Sequence, residues 1–169
     1  MRNHFLKAPT IFCLLHLLLA ALIGAWLFKQ HQPVALAKPA LENGKLQCVS
    51  YAPYYGKDQT PLIPTTRISQ EQIDADLEKL AKITDCIRTY SVGQGMDYVP
   101  EAAKKVGLKV YLGVWIGWVD KLNQAEIALA ANVANAHPET VKALVVGNEV
   151  LLRGEHTEAA MKGFIQQMR

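Results

Sequence analysis

The stretch "VKALVVGNEVLLRGE", residues 141–155, places an amide beside an acid at the end of an apolar run. Asn148 and Glu149 follow a segment that reads as a buried strand stopped by Gly147. Bringing a carboxylate near a core costs several kcal/mol unless it is paired, so a Glu at such a tip argues for chemistry over packing. Three further strand-like runs end in Tyr51, Tyr90 and Trp115. Aromatic rings beside an acid and an amide suit a sugar: rings stack on its apolar faces, and the polar groups take its hydroxyls. For each aromatic taken singly, plain packing is the competing use. Gly93 and Gly95 in "SVGQG" are weak signals for a nucleotide, and a tight turn accounts for them better.

These residues need a scaffold that alternates strand and helix. Strands are expected over 45–51, 86–92, 108–115 and 141–147. Helices are expected over 69–84, 96–107, 123–137 and 157–169. In the first helix Ile73, Leu77, Leu80 and Ile83 share a face, and Ser69 with Gln72 forms a capping box. Asn123 with Glu126 three residues on suggests the same start for the third, and Pro138 ends it. Near-continuous apolar strands between helices mean a parallel sheet covered by helices. An open doubly wound sheet and half of a (β/α)8 barrel both satisfy that pattern. Either fold binds ligands at the C-terminal ends of its strands.

The chain has 169 residues, enough for one domain with a core and short of the roughly 250 of a whole barrel. The net charge of +3 comes from Arg2, Lys7 and Lys29; the remainder is balanced, which argues against nucleic acid as a partner. Residues 9–28 contain no Asp, Glu, Lys or Arg. Twenty helical residues span about 30 Å, the thickness of the hydrocarbon core. Arg2 and Lys7 ahead of the run predict a cytoplasmic N-terminus (1–8), a transmembrane signal anchor (9–28), a linker (29–45) and a domain (46–169) on the periplasmic or extracellular side. A cleaved signal peptide is the rival, with "ALA" at 35–37 as its cleavage site.

"CVSYAPY", "CIRTYSV", "KVYLGVW" and "VVGNEVLLRGE", in this order and spacing, resemble glycoside hydrolase family 17, the β-1,3-glucanases. The resemblance covers roughly residues 47–165, and "IRTY" and "VGNEV" are its most specific pieces. It implies the N-terminal half of a (β/α)8 barrel and retaining chemistry on β-glucan, with no cofactor. It makes Glu149 the general acid/base and Asn148 the partner of the sugar 2-hydroxyl. Tyr90 then lines the cleaved subsite, with Tyr51 and Trp115 as further substrate contacts. Such an enzyme needs a protonated and an ionised carboxyl about 5–5.5 Å apart. Semi-burial at the strand tip is expected to help Glu149 hold its proton. The nucleophile belongs on strand seven, beyond Arg169; Asp58, Asp97, Asp120 and Glu155 do not match that position.

The chain alone is therefore expected to be inactive, with an inner face of Val, Leu and Ile and two open barrel edges inviting self-association. A non-catalytic glucan-binding module and a glucan-transferring enzyme are the alternatives. Cys48 and Cys86 fall on neighbouring strands, where two buried thiols are favoured over a bridge. The five His residues show no paired metal-ligand spacing.

Overall fold

The computed structural model describes residues 8–33 and 44–169. The N-terminal tail, the centre of the linker and the "ALA" tripeptide lie outside them. The chain divides into two compact units, Met1–Ala40 and Leu41–Arg169.

In the first unit, α1 (Ala8–Gln30) is long and apolar enough to cross a membrane, a property a signal sequence shares. It exposes large side chains all round, including Leu17, Leu22 and Trp26. The one imidazole in its middle is satisfied within the helix: His16 Nδ1 lies 2.9 Å from the Phe12 carbonyl.

The second unit runs β1 (Val49–Ser50), α2 (Gln70–Leu80), β2 (Cys86–Arg88), α3 (Val99–Lys105), β3 (Lys109–Val114), α4 (Asp120–Ala136), β4 (Val141–Val146) and α5 (Glu158–Gln167). The four strands are parallel, and their spatial order follows chain order. A doubly wound sheet would reverse direction at a switch point. Sequential order is how a barrel grows, so topology decides between the two architectures left open by the alternation.

Side-chain alternation along β3 separates two faces. Val110, Leu112 and Val114 are fully buried with Ile87 of β2 against Ile73 and Leu77 of α2, Val99 of α3 and Ile127 of α4. Each large aliphatic removed from water contributes about 1.5–3 kcal/mol, so this face carries the fold. The other face holds Cys48, Ser50, Cys86, Arg88, Tyr111 and Val145 around a hollow of about 450 Å³. This corrects the expectation of an inner face of Val, Leu and Ile: the large aliphatics went to the helix side, where they meet a packed layer.

β2 stops at Arg88 because the Gly113 N–H turns to the Thr89 hydroxyl (2.9 Å), replacing a ladder bond with a side-chain bond. Ser69 does cap α2, accepting from Gln72 N at 3.2 Å, but the Gln72 side chain reaches the Pro53 carbonyl (2.7 Å) and leaves the box half formed. Ile83 lies past the end of α2 and is exposed. α4 starts three residues early, with Val119 at its N-cap, so Asn123 and Glu126 sit inside the helix with other partners. Gly95 makes a turn, as expected: its φ is +92°, and a Cβ there would come within 2.5 Å of the Ile68 carbonyl oxygen.

Cys48 and Cys86 form a disulfide, contrary to the preference for free thiols. Val49 pairs with Ile87, so the cysteines one residue earlier stand opposite each other with Cα atoms 4.5 Å apart. That separation lies inside the range a disulfide spans.

Candidate active site

β4 positions the acid. Gly147 N–H donates to the Val114 carbonyl (2.8 Å), extending the strand pairing to the last residue before the Asn–Glu pair. The chain then turns through two left-handed residues, Gly147 at φ +77° and Glu149 at φ +54°. A Cβ at Gly147 would also approach Met161 Cε at 2.7 Å and Val150 Cγ2 at 2.9 Å, so those side chains would have to shift. A left-handed glutamate costs about 1–3 kcal/mol. Such strain concentrates where a side chain must be aimed, and here it falls on Glu149.

The Glu149 side chain is 62% exposed, so the semi-burial expected at this tip is not present. The coil that follows the strand returns Arg153 to it: Arg153 N–H donates to the Glu149 carbonyl (2.8 Å), and the guanidinium lies 3.8 Å from the carboxylate. The same guanidinium holds Glu155, whose side chain is 8% exposed, at 2.6 Å, and stacks 4.7 Å from the centre of the Trp115 ring. Arg153 thus joins the acid on β4 to the aromatic on β3.

A second arginine makes the matching connection to β2. Arg88 Nη2 donates to Asn148 Oδ1 at 2.9 Å, and its guanidinium lies 4.3 Å from the centre of the Tyr90 ring. The amide is thereby oriented from a strand sixty residues away. Tyr90 and Trp115 are thus each stacked by a guanidinium.

Tyr90, Trp115 and Tyr51 line a cleft of about 810 Å³ between the loops after β1, β2 and β3 and the N-terminal half of α4. Tyr51 is buried, and its hydroxyl donates to Asp76 of α2 at 3.2 Å. Burial pushes that hydroxyl's pKa well up, and the Asp76 carboxylate adds to the shift. Glu126 of α4 accepts from Val92 N (2.8 Å) and Trp115 N (3.2 Å), stapling the ends of β2 and β3. Asn123 holds both the N–H and the carbonyl of Gly117, and His156 Nε2 lies 2.8 Å from the same carbonyl.

The structure therefore gathers the five residues singled out from sequence at one end of the sheet, in two groups: Asn148 and Glu149 at the β4 tip, and Tyr51, Tyr90 and Trp115 in the cleft. Sequence reading missed Arg88, Arg153 and Glu126. Arg88 stands within "IRTY"; Arg153 stands four residues after Glu149, a spacing that closes one turn; Glu126 has the spacing of a cap.

Residues 48–169 match the family model for the BtgE/BtgC glycoside hydrolase domain. The chain is 29% identical over 136 residues to the probable β-glucosidase btgE of Aspergillus flavus, and equally to that of Aspergillus oryzae. In both cases the match covers 79% of this chain and 21% of the relative, so the chain spans about a fifth of their length. Its fold resembles the glycoside hydrolase family 17 β-1,3-glucanosyltransferase of Rhizomucor miehei, with a TM-score of 0.58 and 22% identity over 71% of this chain and 42% of that one. An active-site mutant of that enzyme in complex with laminaritriose superposes with a TM-score of 0.59 over 72% and 43%. Four sequential parallel βα units that superpose on part of that barrel bear out the half-barrel architecture expected from sequence. With the family model covering most of its length, the chain belongs to the BtgE/BtgC glycoside hydrolase domain family.

Proposed function

We propose that this chain supplies the acid/base half of a retaining site acting on β-1,3-glucan. The observation that carries the proposal is the Asn148–Glu149 pair at the end of β4, with Asn148 oriented by Arg88 and Glu149 held in a left-handed turn. Glu149 in its protonated form would donate to the departing glycosidic oxygen. As a carboxylate it would then take a proton from the acceptor, either water or a sugar hydroxyl. Asn148 would hold the 2-hydroxyl of the sugar undergoing cleavage, and Tyr90, Trp115 and Tyr51 would line its approach. The attacking carboxylate would come from barrel strands this sequence does not contain.

The test is Glu149→Gln in a barrel completed with strands five to eight of a family member. Turnover of laminari-oligosaccharides should fall by about 10²–10⁴-fold, while a substrate with an activated leaving group is spared in the glycosylation step. Unchanged oligosaccharide turnover would sink the assignment. Water and sugar acceptors use the same residues, so product analysis separates hydrolysis from transfer, and the likeness to a glucanosyltransferase fold is reason to measure both.

We also propose that α1 anchors the domain on the outer side of a membrane, through the linker at 29–45. The apolar length of α1 supports this. Retention in the membrane pellet after alkaline wash is the expected result, and a soluble form beginning near Lys38 would show cleavage instead.

A further inference from the structure

Glu126 carries more than a staple requires. Both of its bonds to the strand ends, from Val92 N (2.8 Å) and Trp115 N (3.2 Å), go to one oxygen, Oε1. A neutral glutamine carbonyl could accept both. It would do so without bringing a charge to a half-buried position, which is unfavourable unless the charge is paired. Among the described residues, Glu126 has no ion-pair partner, and its Oε2 accepts no hydrogen bond.

The surroundings of that second oxygen belong to the cleft. Glu126 lines it together with Tyr54, Ser91 and Gly93. Burial raises the pKa of the Tyr54 hydroxyl, and the Glu126 carboxylate adds to the shift, so its charge is felt at the cleft wall. A Cβ added at Gly93 would stand 3.3 Å from Ser91 Oγ and 3.5 Å from Glu126 Oε2, so the two oxygens flank one spot. Gly93 is not left-handed, and its backbone conformation does not demand glycine. What the missing side chain leaves is room beside the two oxygens. Ser91 Oγ accepts from Gly93 N at 2.9 Å and keeps its O–H for a further acceptor.

A carboxylate oxygen only accepts, whereas a serine O–H donates. A sugar hydroxyl does both, so it can donate to Oε2 and accept from Ser91. Hydrogen bonds to an ionised group are among the stronger ones. Tyr90 and Trp115 line the same cleft, and the arginines stacked on them reach Asn148 and Glu149. The spot beside Glu126 therefore shares its cleft with the rings tied to the β4 tip.

We infer that Glu126 is a specificity-determining residue. Its Oε2, with the Ser91 hydroxyl, holds a hydroxyl of a glucosyl unit in the cleft, while its Oε1 keeps the strand ends in place. The identity of the ligand rests on the proposed function; the division of labour between the two carboxylate oxygens does not.

The experiment is calorimetric titration of the full chain in lipid nanodiscs with laminaritriose, with empty discs as the blank. Glu126→Gln retains an acceptor for both backbone N–H groups and removes the carboxylate. It should weaken laminaritriose binding by about tenfold, while the denaturation midpoint stays at that of the unsubstituted chain. Gly93→Ala leaves both staple bonds in place and puts a methyl group beside the two oxygens. It should weaken binding to a similar extent. Unchanged affinity in Glu126→Gln overturns the inference, because a staple alone needs only the amide. Unchanged affinity in Gly93→Ala overturns it too, and this variant decides the matter if Glu126→Gln also loses stability. In either case laminaritriose still binds, and the proposed function stands. An unsubstituted chain that does not bind laminaritriose overturns the inference together with the proposed substrate.

Discussion

The two faces of the sheet are held together by different physics. Toward the helices, Ile87, Val110, Leu112 and Val114 are fully buried, and apolar contact supplies the cohesion. Toward the hollow, Tyr111 is 41% exposed, and what ties the strands is a disulfide, an arginine bonded to an asparagine and guanidinium–ring stacking. Burial is indifferent to direction, whereas covalent and polar links fix direction. The face that must aim side chains is the one that uses the directional links.

Neighbouring residues of β3 sharpen that contrast most. Leu112→Ala should cost about 2–5 kcal/mol in chemical unfolding of the full chain, through lost transfer energy and the cavity left behind. Tyr111→Ala, one residue away on the open face, should stay within about 1 kcal/mol. Comparable losses at the two positions would mean that the open face is covered in solution.

The next effect concerns the Cys48–Cys86 bridge, which closes a loop of sequence separation 38. Cys48→Ser with Cys86→Ser should cost about 2–4 kcal/mol, since the bridge restricts the unfolded chain. It should also loosen β1, a two-residue strand at the sheet edge. A denaturation midpoint unmoved by the double substitution would show that β1 is secured by its neighbours alone.

The smallest effect tests the strand tip. Glu149→Gly relieves the left-handed glutamate, and after the entropy cost of glycine it should leave the chain about 0.5–1 kcal/mol more stable while removing the acid. A loss of stability would mean that the contact with Arg153 is worth more than the strain, and the case for Glu149 as a functionally aimed residue would weaken.

Much of this was legible without coordinates where the signal was local. Strands and helices follow from apolar periodicity, and Thr157 is the N-cap of α5, its hydroxyl accepting from Ala160 N as its residue type allows. Misreadings arose where two local rules competed. Asn123 and Glu126 have cap spacing, but they also stand one turn apart on a buried helix face, and tertiary partners claimed both. Ile83 fits the helical period yet falls after the helix has ended.

The order of the elements, the apolar α1 and the acid at the tip of β4 follow from local residue patterns, because each depends on residues within a turn or two of one another. Which distant groups meet depends on how the elements pack. The register of β1 on β2 set Cys48 opposite Cys86, the sheet brought Arg88 to Asn148, and α4 carried Glu126 to two strand ends. Those meetings follow from strand register and helix placement across tens of residues, which no short pattern encodes. Two of them tie the tips of β2, β3 and β4 together at one end of the sheet.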